Sequence, residues 1–581
     1  MRLSRVLVAA LMLAGCSRSG APASLRAVPP DAPGHANVVP AEPAPGSSRP
    51  GEIYSAYILA PTGDTIAFTV FEPAIVRYGQ KYPLVLESHP AAGTRQKTLE
   101  PSPADADHTL LQSQKMLVDI GRLVAAGYGV ISFDQRGSGE SSGTVRIVDP
   151  QFEVADDLAV VDWAQARLPW LLYRTPGDPT SLMLGATGYQ AAGAYQMGMY
   201  ATDPLRRLKA IVPQTTWHAL DYALNPNDVL KSLWAVGFVA KVNAAKALGT
   251  SGGFDPFITS TLGPAVLANV PNDADTQFFH YQSLAYFCGN APIAMDGDVP
   301  ALFKPRLNGP IDVLLMQGMR DTFVNFNNAV ANYDCLAAQG GDVRLMSYQS
   351  GNNNLGVVPD EGEAYQPSGN AADDSCGGVD SITATIAFFD EHLKGIPGAA
   401  AAVPPLCLSI QKGDSITPPA VLTARSGGLT SAAFDLAATS TGLLPLTPDV
   451  IDLGVVAGGA GMVVAGIPHL VVDVAPLNPP DSGQPILEYG LGVIRAAGAP
   501  VGNGVPELVD NQVTASRGFG HFDLDLNGVA IRLVAGDRLS LLVYSNQDQF
   551  IGTSSVNVAH PYLLPVSVKG QVGLPVIHDG S

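Results

Sequence analysis

The stretch from Leu184 to Gln196, LGATGYQAAGAYQ, has the residue types and spacing to present a reacting group. Leu182, Met183 and Leu184 predict an apolar strand, and the small residues from Ala191 onward predict a helix. Between them, Gly188-Tyr189-Gln190-Ala191-Ala192-Gly193 matches a sharp strand-to-helix turn whose tip carries a nucleophile between small neighbours. The tip residue is Gln190. Its amide has no ionisable proton and cannot form an acyl-enzyme. Thr187 sits at the end of the strand and reads as a turn hydroxyl. Gly139-Glu140-Ser141-Ser142-Gly143 satisfies G-x-S-x-G as a string, but it follows an earlier strand and reads as a chance match.

The remaining polar candidates are scattered. His89 follows a strand and is expected to be satisfied by backbone, whereas His218, beside Trp217, could line a pocket. His392 falls on a final helix and reads as a surface residue. Asp156 and Asp157 sit on an amphipathic helix and need only solvent. His521, Asp523 and Asp525 fall on late strands, where alternation puts the two aspartates on one face, for calcium, sugar or solvent. There is no P-loop, dinucleotide fingerprint or zinc spacing, so no cofactor and no metal is expected.

The elements that would position the turn alternate. Residues 55–72 read as a hairpin around Gly63-Asp64. Strands are expected at 82–93, 127–133, 209–213, 311–318 and 343–349, and helices at 110–126, 153–166, 322–339 and 382–395. This alternation predicts a mostly parallel α/β sheet covered on both faces. Residues 225–305 interrupt it with helical or irregular sequence, a cap over the carboxyl ends of the strands. Beyond about residue 400 short β-like segments recur between Gly, Pro and Asn turns, as in a β-sandwich or jelly roll. The division is therefore 1–15 signal, 16–50 tether, 51–224 and 306–398 α/β domain, 225–305 cap, and 399–581 linker and β domain.

Composition narrows the class. Of the 581 residues 46% are hydrophobic and 15% charged, enough apolar content for large cores. The net charge of -19 argues against nucleic acid as a partner. The N-terminus, MRLSRVLVAALMLAGCSRSG, has two arginines before an apolar run too short to span a bilayer. Its end, Leu13-Ala14-Gly15-Cys16, resembles a bacterial lipobox, which implies cleavage before Cys16 and a lipid on its thiol. The membrane would then be a partner through that lipid, in an exported protein, and Ser17 points to the outer membrane. A Pro- and Ala-rich stretch follows as a tether. Cys288, Cys335, Cys376 and Cys407 remain, an even set that predicts two disulfides with three possible connectivities.

Several motifs in order, GYGVISFDQRGSGESSG, EVADDLAVVDWA, the Gly188–Gly193 turn, LKAIVPQTTW, QGMRDTF and ASRGFGHFDLDLNGVAIRLVAGDRLSLLVYS, resemble the X-Pro dipeptidyl-peptidase and cocaine-esterase group of α/β-hydrolases over about residues 51–570. That resemblance implies a hydrolase domain, a helical cap and a galactose-binding-like jelly roll, and cleavage of peptides, esters or amides without a cofactor. Carried over by position, the family's serine falls on Gln190, its aspartate on Asp321 and its histidine on Asn352. Of these only Asp321 keeps the family's residue type. No histidine occurs from Tyr281 to Glu391, so no shift in register restores one. An amide cannot take a proton at neutral pH. One oxyanion donor would be the Ala191 N–H; Pro90, in the SHPAAG loop, has no N–H to give as the other. The expectation is a hydrolase fold without serine-hydrolase activity, binding a peptide, ester or glycan, or else a working hydrolase with relocated catalytic groups.

Overall fold

The computed structural model describes residues 39–91, 93–99, 119–268, 271, 273–289, 306–349, 351, 375–411, 413–425, 427–440, 447–458, 462–477, 484–496, 506–550 and 564–577. The centre is a ten-stranded mixed sheet. Its strands are β1 (Ile53–Leu59), β2 (Thr65–Phe71), β3 (Leu84–Ser88), β4 (Gly129–Phe133), β5 (Leu184–Tyr189), β6 (Leu208–Gln214), β7 (Asp312–Gly318), β8 (Val343–Tyr348), β9 (Leu406–Gln411) and β10 (Asp414–Ile416). They lie in the order β10-β9-β8-β7-β6-β5-β3-β4-β2-β1. The seven strands from β9 to β4 pair in parallel; β1, β2 and β10 add antiparallel edges.

The inner strands are apolar on both faces because both faces are covered. Leu84, Leu86, Val313 and Leu315 join one core, together with α2 (Glu153–Arg167), α3 (Ala191–Thr202) and α9 (Phe326–Ala337). Val85, Leu314 and Met316, one residue out of phase, join the other with α1 (Ile120–Ala125) and α10 (Ser381–His392). The helix expected over 110–126 is seen as α1 alone, since 110–118 lie outside the described residues. Between β6 and β7 come α4 (Leu220–Leu224), α5 (Ser232–Ala247), α6 (Pro256–Ala268), α7 (Asp273–Tyr281) and α8 (Leu284–Phe287), the helical segment expected above the sheet. Among the described residues no helix is long and apolar enough to cross a membrane.

The C-terminal region is an antiparallel β domain. Leu564–Leu574 pairs with Phe434–Ser440 on one side and His469–Pro476 on the other; Arg538–Tyr544 lies between Asp449–Val456 and Ile486–Ile494. The inward residues of the two sheets, such as Leu470, Val472, Leu491, Leu541 and Val568, form its own core. Two disulfides close the four-cysteine set, Cys288–Cys335 and Cys376–Cys407. The first ties the end of the cap to α9.

Candidate active site

The carboxyl ends of β3, β5, β6 and β7 open onto one crevice, the usual ligand position in a parallel sheet. At the end of β5 the chain turns into α3 through Gln190, whose φ is 53° and ψ -113°. A non-glycine residue is rarely held there, and such a conformation costs on the order of 1–3 kcal/mol. Three hydrogen bonds enforce it. The Gln190 N–H donates to Gln214 O (2.8 Å), and Gln190 O accepts from the Ala194 N–H (3.1 Å) and the Thr216 hydroxyl. Close packing does the rest: a Cβ at Gly188 would lie 2.5 Å from Ala192 Cβ, and one at Gly193 2.6 Å from Thr216 Oγ1. The glycines are there because helix and strands approach too closely for a side chain. This is a sharp strand-to-helix turn with the backbone expected of one that presents a reacting group, and a glutamine is at its tip.

Asp321 lies in the turn after β7 and is fully buried. Its Oδ1 accepts from the N–H groups of Phe323 (3.0 Å) and Val324 (2.6 Å), and its Oδ2 from the Tyr189 hydroxyl (3.3 Å). The turn is held from two further directions. From the cap, Lys231 Nζ donates to the carbonyls of Thr322 (2.8 Å) and Phe323 (3.2 Å). From the β domain, Gln512 Nε2 donates to the carbonyls of Met319 (3.0 Å) and Asp321 (3.1 Å). Burial pushes the fully enclosed Lys231 ammonium down to about 7, against the pull of Asp321. Asn352 lies outside the described residues. Gly351, just before it, abuts this turn, since a Cβ there would sit 2.4 Å from Asp321 N.

Above the turn the cap closes a cavity of ≈ 710 Å³, counted to its open mouth. Its walls are mostly apolar: Trp217, Leu224, Phe238, Phe254, Leu262 and Phe323 among them. The polar side chains that line it are His89, Gln135, Ser138, Gln190 and Tyr195. Among the described residues no Asp, Glu, Lys or Arg lines it. His89 Nε2 accepts from the Gln135 N–H (3.0 Å), so its proton is on Nδ1, which donates to Pro90 O (2.8 Å). A ring with both nitrogens committed to backbone is no free base. Ala191, whose N–H is one of the orphan donors of the first turn of α3, borders the same cavity.

The other candidates have structural duties. Ser141 donates to Asp134 O (2.7 Å) and accepts from the Ala67 N–H (2.9 Å). Thr187 donates to Val212 O (3.1 Å). His218 is buried beside Asn332 (3.0 Å) and pushed down to about 4, chiefly by burial; Trp217 lines the cavity in its place. His392 is not a surface residue. It bridges Asp312 (2.9 Å) and Asp342 (3.1 Å) at the opposite end of the strands, and these carboxylates outweigh its burial and raise it to about 9. Asp156 and Asp157 do not face solvent either. Both are 1% exposed, because α2 turns that face toward the loop carrying Arg136, whose Nε donates to Asp156 (2.9 Å). Asp523 and Asp525 do share a strand face, where Arg425 bonds both. Among the described residues no cluster fit to hold a metal ion is found.

Three participants escape sequence inspection. Lys231 leaves one trace, a lone cation inside the apolar run Val229-Leu230-Lys231-Ser232-Leu233-Trp234. Gln135 stands directly after a buried strand, where crevice residues arise, but nothing in its type marks it. Gln512 leaves no trace at all.

With this geometry in view, the comparison with known proteins is informative. Residues 62–252 match the family described as X-Pro dipeptidyl-peptidase (S15 family). This stretch contains the turn at Gln190 and the β3, β4 and β6 edges of the crevice. The whole architecture is similar to that of a CocE/NonD family hydrolase from Staphylococcus aureus, at 14% identity and a TM-score of 0.57, covering 91% of this chain and 94% of that one. It is also similar to an aminopeptidase from a marine sediment archaeon, Thaumarchaeota archaeon (12%, TM-score 0.57, covering 90% and 96%). An alpha-amino acid ester hydrolase shows the same likeness (14%, TM-score 0.54, covering 95% and 100%). At these identities the likeness is one of fold. No curated protein matches the chain by sequence.

Proposed function

We propose that this chain is an exported, lipid-anchored S15-fold protein that binds a largely apolar ligand under its cap and performs no serine-type acyl transfer. The observation that carries this reading is Gln190, an amide held in the strained backbone of a nucleophile turn. The rest of the cavity agrees with it. Among the described residues its one imidazole is tied up by backbone, and no carboxylate lines it. In serine proteases the loss of either serine or histidine costs about 10⁶ in kcat. The lipid on Cys16 is part of the same proposal, supported by the sequence of the signal.

The test is labelling of the purified protein with a fluorophosphonate, beside the double variant Gln190→Ser/Asn352→His. The expected result is no labelling of the natural protein. Labelling of the variant alone would show that the scaffold still supports the chemistry it lacks. Labelling of the natural protein would overturn the proposal in favour of a hydrolase with relocated groups, and the adduct would name the nucleophile.

A further inference from the structure

The end of the sheet away from the crevice carries the reverse of the protein's overall charge. The chain as a whole stands at -19, yet Arg77, Lys81, Arg167, Arg174 and Arg206 are exposed in one belt around the amino ends of β3, β5 and β6, with Lys209 half-buried among them. Hydrogen bonds make the belt continuous. The Arg77 N–H donates to the Tyr82 hydroxyl (3.1 Å) and the Tyr82 N–H to Trp170 O (2.7 Å). Lys81 Nζ donates to Pro169 O, just beyond the end of α2 at Arg167. The Arg174 N–H donates to Ser181 O (2.9 Å), and Lys209 Nζ to the carbonyls of Thr180 and Arg206 (2.8 Å each).

The nearby acids leave this charge unbalanced. Asp162 and Asp203 bind Arg207, Glu42 lies 3.9 Å from Lys81, and Asp178 accepts from the N–H and hydroxyl of Thr180. Among the described residues Arg77, Arg167, Arg174 and Arg206 form no ion pair. Burial first, and the Arg174 charge second, hold the Lys209 ammonium below its usual value, against Asp203 and Asp178. Farther along, at β7 and β8, Asp312 and Asp342 are matched by His392 and Arg344, so the excess is local. Apolar groups stand within it: Tyr78 is 49% exposed and Leu205 37%. Leu205 and Arg206 form the tip of a turn closed by the Arg206 N–H on Asp203 O (3.1 Å). The chain also enters the domain on this side, since Glu42 accepts from the Gly79 N–H (3.2 Å) and Ser47 O from the Tyr78 N–H (3.0 Å).

We propose that this belt docks on a bilayer containing anionic phospholipid, its cations meeting the phosphate head groups while Leu205 and Tyr78 enter the interface between them. The entry of the chain beside the belt agrees with a lipid on Cys16, but the attraction itself does not require that anchor. Docked this way, the crevice at the carboxyl ends of the same strands faces away from the bilayer, and a ligand reaches the cavity from the aqueous side.

The experiment uses the chain from Ser17 onward, made without its signal and so without lipid. Its cosedimentation is measured with vesicles of phosphatidylcholine, alone or with about 30% phosphatidylglycerol, in about 0.1 M and about 0.5 M NaCl. The expected result is binding to the anionic vesicles at the lower salt, lost at the higher, and none to the neutral ones. Each cation near such a surface is worth about fivefold, so Arg167→Gln/Arg174→Gln/Arg206→Gln should weaken binding by at least about tenfold. Arg206→Gln alone, at the exposed turn tip, should cost about fivefold and serves if the triple variant fails to fold. Lys569→Gln, an exposed cation of the β domain, should change nothing. Equal binding to both kinds of vesicle, binding to neither, or variants that bind as the natural chain does would each overturn the proposal. Displacement by inorganic phosphate but not by chloride at equal ionic strength would also overturn it, in favour of a site for the free anion. None of these outcomes bears on the anchor at Cys16, which mass spectrometry of the exported protein tests separately.

Discussion

Lys231 ties the cap to the Asp321 turn with a fully buried ammonium, and its burial makes a signed prediction. Its folded value is about 7 against 10.5 when unperturbed, with desolvation as the main cause. The folded value lies below the unfolded one. Below pH 7 both states hold the proton, and the fold carries the whole cost of burying the charge. Between pH 7 and 10.5 the unfolded chain binds more protons, so stability rises with pH across this window. A fall of this size at about 1.36 kcal/mol per unit sets an upper limit of about 5 kcal/mol. Lys231→Met removes both the charge and the two hydrogen bonds to Thr322 and Phe323. The variant should therefore be near break-even with the natural protein at pH 6 and less stable by about 2–5 kcal/mol at pH 10. Urea unfolding of both proteins at pH 6, 7, 8, 9 and 10 measures this, and the subtraction cancels every other titrating group. A difference that stays flat with pH would refute the reasoning.

Further outcomes follow from the same structure. His392 is raised to about 9 by Asp312 and Asp342, so its contribution is complete below pH 6.5 and is lost as pH rises through 9. After screening of the partly exposed carboxylates, His392→Gln should cost about 1–2 kcal/mol in thermal or urea unfolding at pH 6 and nothing at pH 10. Gln190→Gly should raise stability by about 1 kcal/mol, because glycine takes positive φ without strain; a fall in Tm would argue that the glutamine side chain outweighs its backbone. Gly188→Ala should destabilise by about 2 kcal/mol or more, since its Cβ would fall 2.5 Å from Ala192 Cβ; a neutral result in urea would mean that α3 yields easily.

The sheet was readable because its strands are buried on both faces and so appear as short continuous apolar runs between turns. IDVLLMQG and KAIVP need no other context. The turn at Gln190 was readable because Gly188 and Gly193 are demanded by close approach, a constraint that outlasts any change of the tip residue. Asp156, Asp157 and His392 were misjudged for a common reason. Each is a polar residue on a helix, where periodicity alone predicts solvent, and each is buried against residues of other elements: Asp156 against Arg136, Asp157 beside Gln135, and His392 against Asp312 and Asp342. The place of Gln135 in the cavity wall was illegible in another way. Glutamine is ordinary in sequence, and only its position in three dimensions, between Ser88 and the cavity, makes it conspicuous.

The Cys288–Cys335 disulfide has a consequence for how anything enters or leaves the cavity. It fixes the end of the cap to α9, while Lys231 fixes its beginning to the Asp321 turn. A lid fastened at both margins cannot swing out as a rigid body. Passage must rely on local breathing of α5 and α6, whose Phe238 and Leu262 form the roof. Residence times should then be long compared with those of an open cleft, and reduction of this one bond should shorten them without altering the chemistry of the floor. Slow release would make the protein a holder of its ligand, and the redox state of the surroundings would set how long it holds.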